Sequence, residues 1–572
     1  MVPRPRLPSD ATRAARATWA AGLWTLLTLA VAGTWWHDSM PVELADAAAG
    51  PLPCVSYAPS QHAGHERRAL TTDRIRRDLQ VLAHRTSCVR TYTVAEGHDL
   101  VPQVAQELGM QVLLGLWIGR DAAHNQRELA RGIAAARRHR ATVRAVVVGN
   151  EVLLRRELPP EQLAALIRRV AGATALPVTY ADVWGRWLDH AELARDVSFV
   201  TVHVLPYWDD EPVGVDEVIP HVDALVADLQ RRFADKPLYI GETGWPSAGR
   251  PRGPAVPGRV EQARYLREFT RLAARRGLDF NVIEAFDQPW KIPHEGTVGG
   301  HWGLHDRWAR AKFGWTGPVV EAPEGRAVAS LAVLAGLLAA AIAVFRRRDH
   351  AGVSRLRRGL VAFALAGSAL TIGARQWQFL VDGNVSTVDW AATVIVVLAG
   401  WLALARTSRA LSVPRRTPAP DPIPRAVALL LLASAAYVDL GLVFAGRHRD
   451  FPVWLFLPAV LAFVLSACAG RQARGRAISA RRGHDEVVLG CWLVVAGALV
   501  PSMERFANSA SILWGSASVL LGLAVLLPWA MQAREEHRAA DHAKARPGEV
   551  VQHDADDTAR NGEVGERPRS PP

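Results

Sequence analysis

The sequence contains neither a glycine-rich nucleotide-binding loop nor a cluster of histidine, cysteine and acidic residues spaced as metal ligands. A nucleotide-driven transporter and a metalloenzyme are therefore not indicated, and we expect no cofactor and no metal. Cysteine is scarce, with four residues in 572. Residues 532–572 lack hydrophobic periodicity and are polar and charged, so they are predicted to form a disordered cytoplasmic tail.

The net charge of +12 invites comparison with nucleic-acid-binding proteins, but its distribution argues against that function. The excess arginines stand in short clusters beside apolar segments, within residues 4–16, 346–358, 406–416 and 471–482. Such clusters are typical of the cytoplasmic loops of membrane proteins. We therefore expect a lipid bilayer, and no nucleic acid, among the partners of this protein.

Eight apolar segments approach the length of about 20 residues that a membrane-spanning helix needs. The first, 17–36, follows a short cytoplasmic segment at 1–16 and ends in a tryptophan pair, as is common at membrane interfaces. The other seven form a helical domain within 327–531, and they are 327–345, 359–374, 388–405, 426–445, 453–469, 486–500 and 511–531. With both chain ends inside, every basic cluster is cytoplasmic and residues 50–321 lie outside.

The first apolar segment has a second interpretation as a cleaved signal peptide. The residues Ala45-Asp46-Ala47 resemble a small-residue cleavage site. That site lies well beyond the end of the apolar segment, which is also long for a signal sequence. We therefore favour a transmembrane anchor that is retained.

The region 50–321 alternates β-type runs with amphipathic stretches. The eight β-type runs are 54–57, 88–92, 111–117, 143–149, 177–181, 198–204, 237–241 and 280–285. The amphipathic helical stretches between them are 72–84, 100–108, 125–139, 160–170, 216–233 and 259–276. Eight strands alternating with helices predict a closed parallel (β/α)8 barrel. The predicted fold class is therefore α/β, a TIM barrel joined to a multi-span α-helical membrane domain.

Two glutamates each follow an apolar run that stops at glycine. Glu151 comes after the run at 143–149, and Glu242 comes directly after the run at 237–241. In a parallel barrel, catalytic groups lie at the carboxyl ends of the strands. Two carboxylates that face each other across a barrel mouth are what glycoside cleavage requires.

Side chains that suit sugar binding follow the same strands. Aromatic rings can stack on pyranose rings, and amide, imidazole and amino groups can hydrogen-bond to hydroxyls. One such aromatic residue is more often packing than binding, but a set at one end of successive strands indicates a sugar site. In chain order the candidates are Tyr57, Arg90, Tyr92, Trp117, Asn150, Tyr180, Trp184, His203, Tyr207, Trp245, Glu284, Asp287, Trp290 and Lys291.

At these residues the chain resembles glycoside hydrolase family 17, the β-1,3-glucanases and glucan transglycosylases. The matching motifs are VGNEV at 148–152, YIGETGWPS at 239–247 and EAFDQPWK at 284–291, with VSYAP at 55–59 and VRTY at 89–92. The resemblance extends over about residues 53–315. The multi-span C-terminal region is similar to that of a bacterial, membrane-bound branch of the family.

The resemblance implies a retaining mechanism, with Glu151 as general acid/base and Glu242 as nucleophile, and with carboxyl groups about 5–5.5 Å apart. A proton donor needs a raised pKa, so we expect burial to raise the pKa of Glu151. The resemblance also implies that Asn150 binds the sugar 2-hydroxyl. Arg90 and Tyr207 would orient Glu242 and keep it ionised.

The sequence thus predicts a membrane-anchored glycosidase that acts on a β-1,3-glucan polysaccharide or oligosaccharide through a covalent glycosyl-enzyme. Water and a second glucan are both possible acceptors, so hydrolysis and transglycosylation stay open. The resemblance implies a multi-pass protein of the bacterial inner (cell) membrane, with a periplasmic or extracellular catalytic domain. It would take part in glucan remodelling, with a glucan synthase as a candidate partner.

A second hypothesis is a glucan export or transport subunit in which the barrel only binds glucan. Seven C-terminal helices exceed what an anchor needs, and Asp439 is an acid within a predicted span. For Asp439 we favour the alternative, a position near enough to the outer surface to be hydrated.

Two cysteines open neighbouring predicted strands, Cys54 the first and Cys88 the second. Because parallel neighbours lie about 4.8 Å apart, matching positions bring Cα atoms into disulfide range, about 4.4–6.8 Å. An oxidising compartment outside the membrane would preserve the bond. Two buried free thiols are the alternative.

Overall fold

The computed structural model describes residues 10–59, 70–345, 354–412, 423–468 and 484–544. Ten strands lie in these ranges: β1 (Pro41–Val42), β2 (Cys54–Ser56), β3 (Cys88–Arg90), β4 (Gln111–Leu116), β5 (Val143–Asn150), β6 (Val178–Val183), β7 (Val200–His203), β8 (Leu238–Thr243), β9 (Asp279–Val282) and β10 (Val319–Val320). Strands β2 to β9 form a closed parallel barrel in chain order. The short β1 and β10 pair with each other where the chain enters and leaves the barrel.

The same ranges contain sixteen α-helices: α1 (Asp10–Asp38), α2 (Thr72–Ala83), α3 (Val101–Glu107), α4 (Ala122–Arg138), α5 (Pro160–Thr174), α6 (Trp184–Asp189), α7 (Val218–Arg232), α8 (Arg259–Arg276), α9 (Ile292–Glu295), α10 (Gly325–Phe345), α11 (Arg355–Gly383), α12 (Thr387–Ser412), α13 (Arg425–Ala445), α14 (Val453–Cys468), α15 (His484–Met503) and α16 (Ser509–Lys544). The eight-stranded barrel with additional long apolar helices confirms the predicted fold class. Each predicted strand and amphipathic helix is present, whereas the short helices α6 and α9 of the barrel domain were missed.

The barrel is held together by the two-residue periodicity of its strands. Alternate side chains point to opposite faces, so one set packs outward under the helices and the other fills the interior. Val55, Val89 and Val112 belong to the outward core. The interior side chains form a separate buried cluster at the strand starts, made of Cys54, Cys88, Leu113, Ala145, Val147, Ala181 and Tyr239.

Cys54 and Cys88 are joined by a disulfide, with their Cα atoms 4.5 Å apart. The pairing of β2 with β3 places Val55 opposite Val89, which brings the two preceding cysteines side by side. The bond lies where both strands begin, at the end of the barrel opposite to the carboxyl ends of the strands. Its expected role is therefore stability.

Reduction of this disulfide should lower the melting temperature of the barrel and leave kcat/KM almost unchanged. The bond joins residues 34 positions apart, and constraint of such a loop in the unfolded chain contributes about 4 kcal/mol. Circular dichroism with and without reductant measures the effect, with a Cys468→Ser, Cys491→Ser protein as control because both cysteines are free. An equal melting temperature in both conditions would contradict the stabilising role.

The helical domain consists of α1 and α10 to α16. Seven of these helices are long and apolar enough to cross a membrane by length and composition, whereas α14 is shorter, with 16 residues. Helix α1 packs into the bundle, since the Trp24 indole donates to Ser368 (3.0 Å) and the Trp35 indole donates to the Thr371 carbonyl (3.0 Å).

Two predicted boundaries in the helical domain are wrong. Helix α11 runs to Gly383, so most of the segment 375–387, predicted as an external loop, is helical. Helix α16 runs to Lys544, so residues 532–544 are helical rather than disordered. Good helix formers continue both helices beyond their predicted ends: arginine, glutamine and leucine in α11, and alanine, glutamate and arginine in α16. The remainder of the predicted tail, 545–572, lies outside the described residues, as do residues 1–9 of the predicted N-terminal segment.

Asp439 in α13 is fully buried, which makes the predicted hydrated position wrong. Its carboxylate accepts hydrogen bonds from the Trp514 indole (2.7 Å) and from the Ser518 hydroxyl. The partners come from α16, so the acid joins two helices inside the bundle. Hydrogen bonds of this kind satisfy a polar group that would otherwise be costly to bury.

The carboxyl-terminal end of the barrel rests on one end of the helical domain. Thr297 donates its hydroxyl proton to Asp450 (2.7 Å), between α13 and α14. Asn508, between α15 and α16, donates to the Pro251 carbonyl (2.8 Å). His301 bonds to the Asp382 carbonyl near the end of α11 (3.1 Å). The carboxyl ends of α10, α12 and α14 and the amino ends of α11, α13 and α15 are therefore the helix ends that lie away from the barrel.

Candidate active site

Glu242 lies in β8, and its carboxylate is almost completely buried in the barrel mouth, with 4% of the residue exposed. Its Oε1 accepts hydrogen bonds from the Tyr92 hydroxyl (2.8 Å) and from the Arg90 guanidinium (3.1 Å). Gly241 permits this arrangement, because a Cβ there would lie 2.5 Å from Thr201 and 3.0 Å from His203. The absence of a side chain at Gly241 thus lets β7 and β8 lie close together, which brings His203 beside Glu242.

Glu151 follows β5 at a break in the regular pairing with β6. Gly149 (φ +88°) and Glu151 (φ +54°) adopt left-handed backbone conformations, which turn the chain at the strand end. The Glu151 amide donates to the Ala181 carbonyl (2.8 Å), which fixes the turn. The side chain is 24% exposed, more than that of Glu242, and therefore open to solvent and to a ligand.

His203, at the end of β7, lies between the two glutamates. Its Nδ1 is 2.9 Å from Glu151 Oε1, and its Nε2 is 3.6 Å from Glu242 Oε1. One ligand atom from each of the three residues lies within 4.8 Å of the others. A metal ion would fit this spacing, but Arg90 already places a positive charge on Glu242, which disfavours a second cation there. The absence of a catalytic metal stays a prediction.

Arg90 links the strands that carry both acids. The side chain is 1% exposed, and its guanidinium donates to the Gly241 carbonyl (2.6 Å), to Glu242 and to Asn150 Oδ1 (2.6 Å). A planar, permanently charged fork suits such simultaneous contacts. The arrangement holds two carboxyl groups and an amide around one open mouth.

Residues 54–303 match the model of the BtgE/BtgC glycoside hydrolase domain. A glucan 1,3-beta-glucosidase of Schizosaccharomyces pombe is 30% identical over 239 residues, which cover 38% of this chain and 74% of that protein. The chain belongs to the BtgE/BtgC glycoside hydrolase family. A glucan 1,3-beta-glucosidase of Candida albicans is 28% identical, covering 40% of this chain and 81% of that protein. A family 17 beta-1,3-glucanosyltransferase from Rhizomucor miehei is 26% identical, covering 46% of this chain and 97% of that structure, with a TM-score of 0.41.

The pKa of Glu151 in this glycoside hydrolase domain differs from the expected one. Burial raises the pKa, but the hydrogen bond with His203 and the charges of His203 and Arg155 outweigh burial. The net pKa lies below that of an ordinary glutamate. The predicted rise is therefore wrong, because the contact between His203 and Glu151 is not apparent from the sequence.

Replacement of His203 by Asn should shift the alkaline limb of the pH–activity profile to higher pH. The predicted role of Glu151 as proton donor requires its protonated form, so activity should be lost as pH rises through its pKa, which His203 holds low. The profile of kcat/KM measures the shift. His84→Asn is the control, because His84 is exposed at the end of α2. A shift to lower pH would contradict the assignment.

Glu284 and Lys291 form a second charged pair in the barrel mouth, with Lys291 Nζ 2.7 Å from Glu284 Oε1. Burial raises the pKa of Glu284 to about 7, although Lys291 lowers it. The pKa of Lys291 is raised because Glu284 outweighs the effect of burial. The pair follows β9, next to the strand that carries Glu242, and leaves an ammonium group close to the mouth.

Four predicted sugar ligands are instead part of the core of the domain. Tyr57, Tyr180, Tyr207 and Trp245 are each at most 1% exposed and so cannot stack on a sugar. Their polar atoms have internal partners, which are Asp78, Asp182 and the carbonyls of Arg250 and Val256 respectively. Tyr207 does not contact Glu242, and Tyr92 takes the predicted position beside it.

Asp287 is also structural. Its carboxylate is buried between Lys312 (2.5 Å) and His301 (3.5 Å), and it accepts from the Gly303 amide (3.0 Å). Burial raises the pKa of Asp287, but Lys312 and His301 lower it by a larger amount, so the pKa lies below its usual range. Both partners come from the loop after β9, so Asp287 fixes that loop rather than a ligand.

Trp117, Trp184 and Trp290 keep accessible ring surface at the carboxyl ends of the strands. Arg155 lies over the Trp117 ring, 4.2 Å from its centroid. Trp184 donates to Asp209 (3.4 Å). Among the predicted sugar ligands, these three tryptophans offer aromatic faces to a ligand.

Two residues of the site were missed in the sequence. Arg155 lies four positions after Glu151 and donates to the Asn150 carbonyl and to Glu157 (2.9 Å). Glu295 is a fourth carboxyl group near the mouth, after Glu151, Glu242 and Glu284, and burial raises its pKa, with the charges of Glu151 and Glu242 adding to the rise. Arg155 was detectable from its spacing to Glu151, whereas no motif marks Glu295.

Proposed function

We propose that this protein is a retaining glycosidase that acts on β-1,3-glucan through a covalent glycosyl-enzyme. The observation that carries this proposal is the carboxylate pair, since an oxygen of Glu151 lies within 4.8 Å of an oxygen of Glu242. Retaining enzymes hold their carboxyl groups about 5–5.5 Å apart, and inverting enzymes about 6.5–9.5 Å apart. The names of the related glucan 1,3-beta-glucosidases supply the substrate class.

Glu242 is the proposed nucleophile because Arg90 and Tyr92 hold its Oε1 in place. In the first step a carboxylate oxygen of Glu242 bonds to the anomeric carbon, and the glycosidic bond breaks. Glu151 gives its proton to the leaving oxygen in the same step. In the second step Glu151 takes a proton from water or from a sugar hydroxyl, whose oxygen then displaces Glu242.

Asn150 is the proposed ligand of the sugar 2-hydroxyl. Its Oδ1 accepts from Arg90, which leaves the Nδ2 protons as the donors of this amide. Hydrogen bonds to the 2-hydroxyl of the sugar strengthen in the transition state of glycoside cleavage. Trp117, Trp184 and Trp290 are proposed stacking surfaces for neighbouring sugars.

Incubation of the full-length protein in detergent with β-1,3-linked oligosaccharides tests the proposal. Shorter products alone mean hydrolysis, and longer products mean transfer to a second glucan. Unchanged substrate would contradict the enzymatic function and favour the glucan-binding export subunit. Product separation by chain length gives each answer directly.

The helical domain is proposed to span the bacterial inner membrane, with α1 as a retained span and the barrel outside. The support is the position of the basic clusters relative to the barrel. The barrel contacts the helix ends near Asp382, Asp450 and Asn508. The arginines of these clusters that the structure describes lie toward the opposite ends of α11 and α12, and they are Arg355, Arg357, Arg358, Arg406 and Arg409. Positive residues favour the cytoplasmic side, so the barrel is external.

Protease added to intact spheroplasts should cut the protein between residues 50 and 321. The barrel is exposed to added protease only if it lies outside the membrane. Immunoblots against the barrel measure cleavage, and an epitope tag after residue 572 should stay protected. Cleavage of the barrel only after lysis would contradict the topology.

A further inference from the structure

A cleft lies at the junction of the barrel and the helical domain. The barrel contributes Pro289, Arg307 and Trp308, and the helices contribute Trp377 of α11, Asn384 after it and Trp390 of α12. This junction cleft has a volume of about 310 Å³, at the lower end of small-ligand sites. None of its residues belongs to the catalytic centre described above.

Three indole rings dominate the junction cleft. Trp308 is 55% exposed and Trp377 is 62% exposed, and they face it from the two different domains. The Trp377 and Trp390 rings meet edge to face, with centroids 6.3 Å apart. Arg307 and Arg310 lie 5.5 and 5.0 Å from the Trp308 centroid. Exposed aromatic rings with guanidinium groups close by suit a ligand that has both apolar faces and hydroxyls.

The polar groups of the cleft point to a ligand with hydrogen-bond acceptors. Asn384 Oδ1 accepts from the Thr393 hydroxyl (3.1 Å). Its Nδ2 is buried and has no hydrogen-bond partner among the described residues. A buried donor without an acceptor is unfavourable, and a rotation of the Asn384 amide toward the cleft that it lines would let a sugar hydroxyl satisfy it. An acyl chain has no acceptor and would leave the Nδ2 group unsatisfied.

One short turn connects the junction cleft to the catalytic mouth. Pro289 lines the cleft, Trp290 exposes its ring, and Lys291 pairs with Glu284 in the mouth. Three consecutive residues thus extend from one site to the other, on the loop after β9. A chain of sugars bound at the mouth can follow this turn toward Trp308.

We propose that the junction cleft is a second binding site for the same β-linked glucan chain, several sugars away from the bond that is cleaved. The proposal rests on the proposed function and extends it, because it makes the helical domain part of the substrate site. The helices then supply one wall of the glucan path in addition to their role as an anchor. The cleft favours long chains over short ones, since only a long chain reaches both sites.

Kinetics of the full-length protein on β-1,3-linked oligosaccharides of increasing length test the site. Trp308→Ala and Trp377→Ala should each raise KM for long chains about three- to tenfold relative to KM for short chains. Trp529→Ala is the matched control, since Trp529 is an exposed tryptophan twenty residues into α16, about 30 Å from its barrel-side end. The control should keep the wild-type ratio of the two KM values.

Each outcome separates this site from the catalytic proposal. Failure of the wild-type protein to cleave any chain contradicts the proposed function itself. Cleavage by the wild type with an unchanged KM ratio in both variants contradicts only the junction cleft. A KM ratio that depends on added phospholipid assigns the cleft to lipid and also overturns the proposal. If an alanine variant does not fold, Trp308→Leu and Trp377→Leu preserve apolar volume and remove the ring.

Discussion

Glu242→Gln and Glu151→Gln are each expected to lower kcat/KM by at least about 10²–10⁴-fold while the barrel stays folded. A neutral amide of the same shape can neither attack the anomeric carbon nor donate the acidic proton. Steady-state rates on β-1,3-linked oligosaccharides measure the loss. Glu107→Gln is the matched control, because Glu107 forms an exposed ion pair with Arg76 on the barrel surface.

Azide distinguishes the roles of the two acids. With a substrate that has a good leaving group, the Glu151 variant still forms the glycosyl-enzyme, and azide then attacks from the opposite face to give a β-glycosyl azide. The Glu242 variant has no nucleophile, so azide takes its place and gives an α-glycosyl azide. Product stereochemistry by NMR measures the result. An α-azide from the Glu151 variant would reverse the assignment.

The barrel was predictable because its signals are local. Apolar runs such as 143–149 stop at glycine, and each strand end then carries polar residues. The proximity of Cys54 and Cys88 followed from their positions at the starts of two neighbouring strands. The burial of the aromatic residues could not be predicted in this way, because it depends on contacts between distant parts of the chain. Tyr207 and Trp245 pack edge to face, with ring centroids 6.1 Å apart, and both are buried. The sequence does not distinguish a tyrosine at a strand end whose ring lies in the core from one whose ring lies in the barrel mouth.

The contacts between the two domains could not be predicted from the sequence, for a different reason. Arg250 forms an ion pair with Glu504, and its guanidinium also donates to the Arg449 carbonyl (3.0 Å). These partners are separated from Arg250 by about 200 residues or more. Hydropathy identifies the helices, but it does not say which end of the barrel they meet. The position of the catalytic face against the helix ends is therefore a result of the three-dimensional structure.

Arg90→Met is expected to lower kcat about 10²–10³-fold, an effect comparable to the loss of a group that stabilises charge in a transition state. Met fills much of the same volume but removes the donors to Glu242, Asn150 and the Gly241 carbonyl. Glu242 then loses its cationic partner in a buried site, and removal of one member of a buried pair costs about 3–5 kcal/mol. Rates and thermal unfolding of the same protein measure both effects.

Arg90→Lys and Arg76→Met decide whether charge alone explains that loss. Lysine keeps the positive charge, but one ammonium group cannot reproduce the planar fork that reaches Glu242 and Asn150 together. Arg90→Lys should therefore recover stability to a larger extent than it recovers kcat. Arg76→Met removes an exposed arginine that also contacts two acids, Asp73 and Glu107. It should change stability by less than about 1 kcal/mol. Equal kcat values for Arg90→Lys and the wild type would show that Arg90 acts as a charge and does not position the nucleophile.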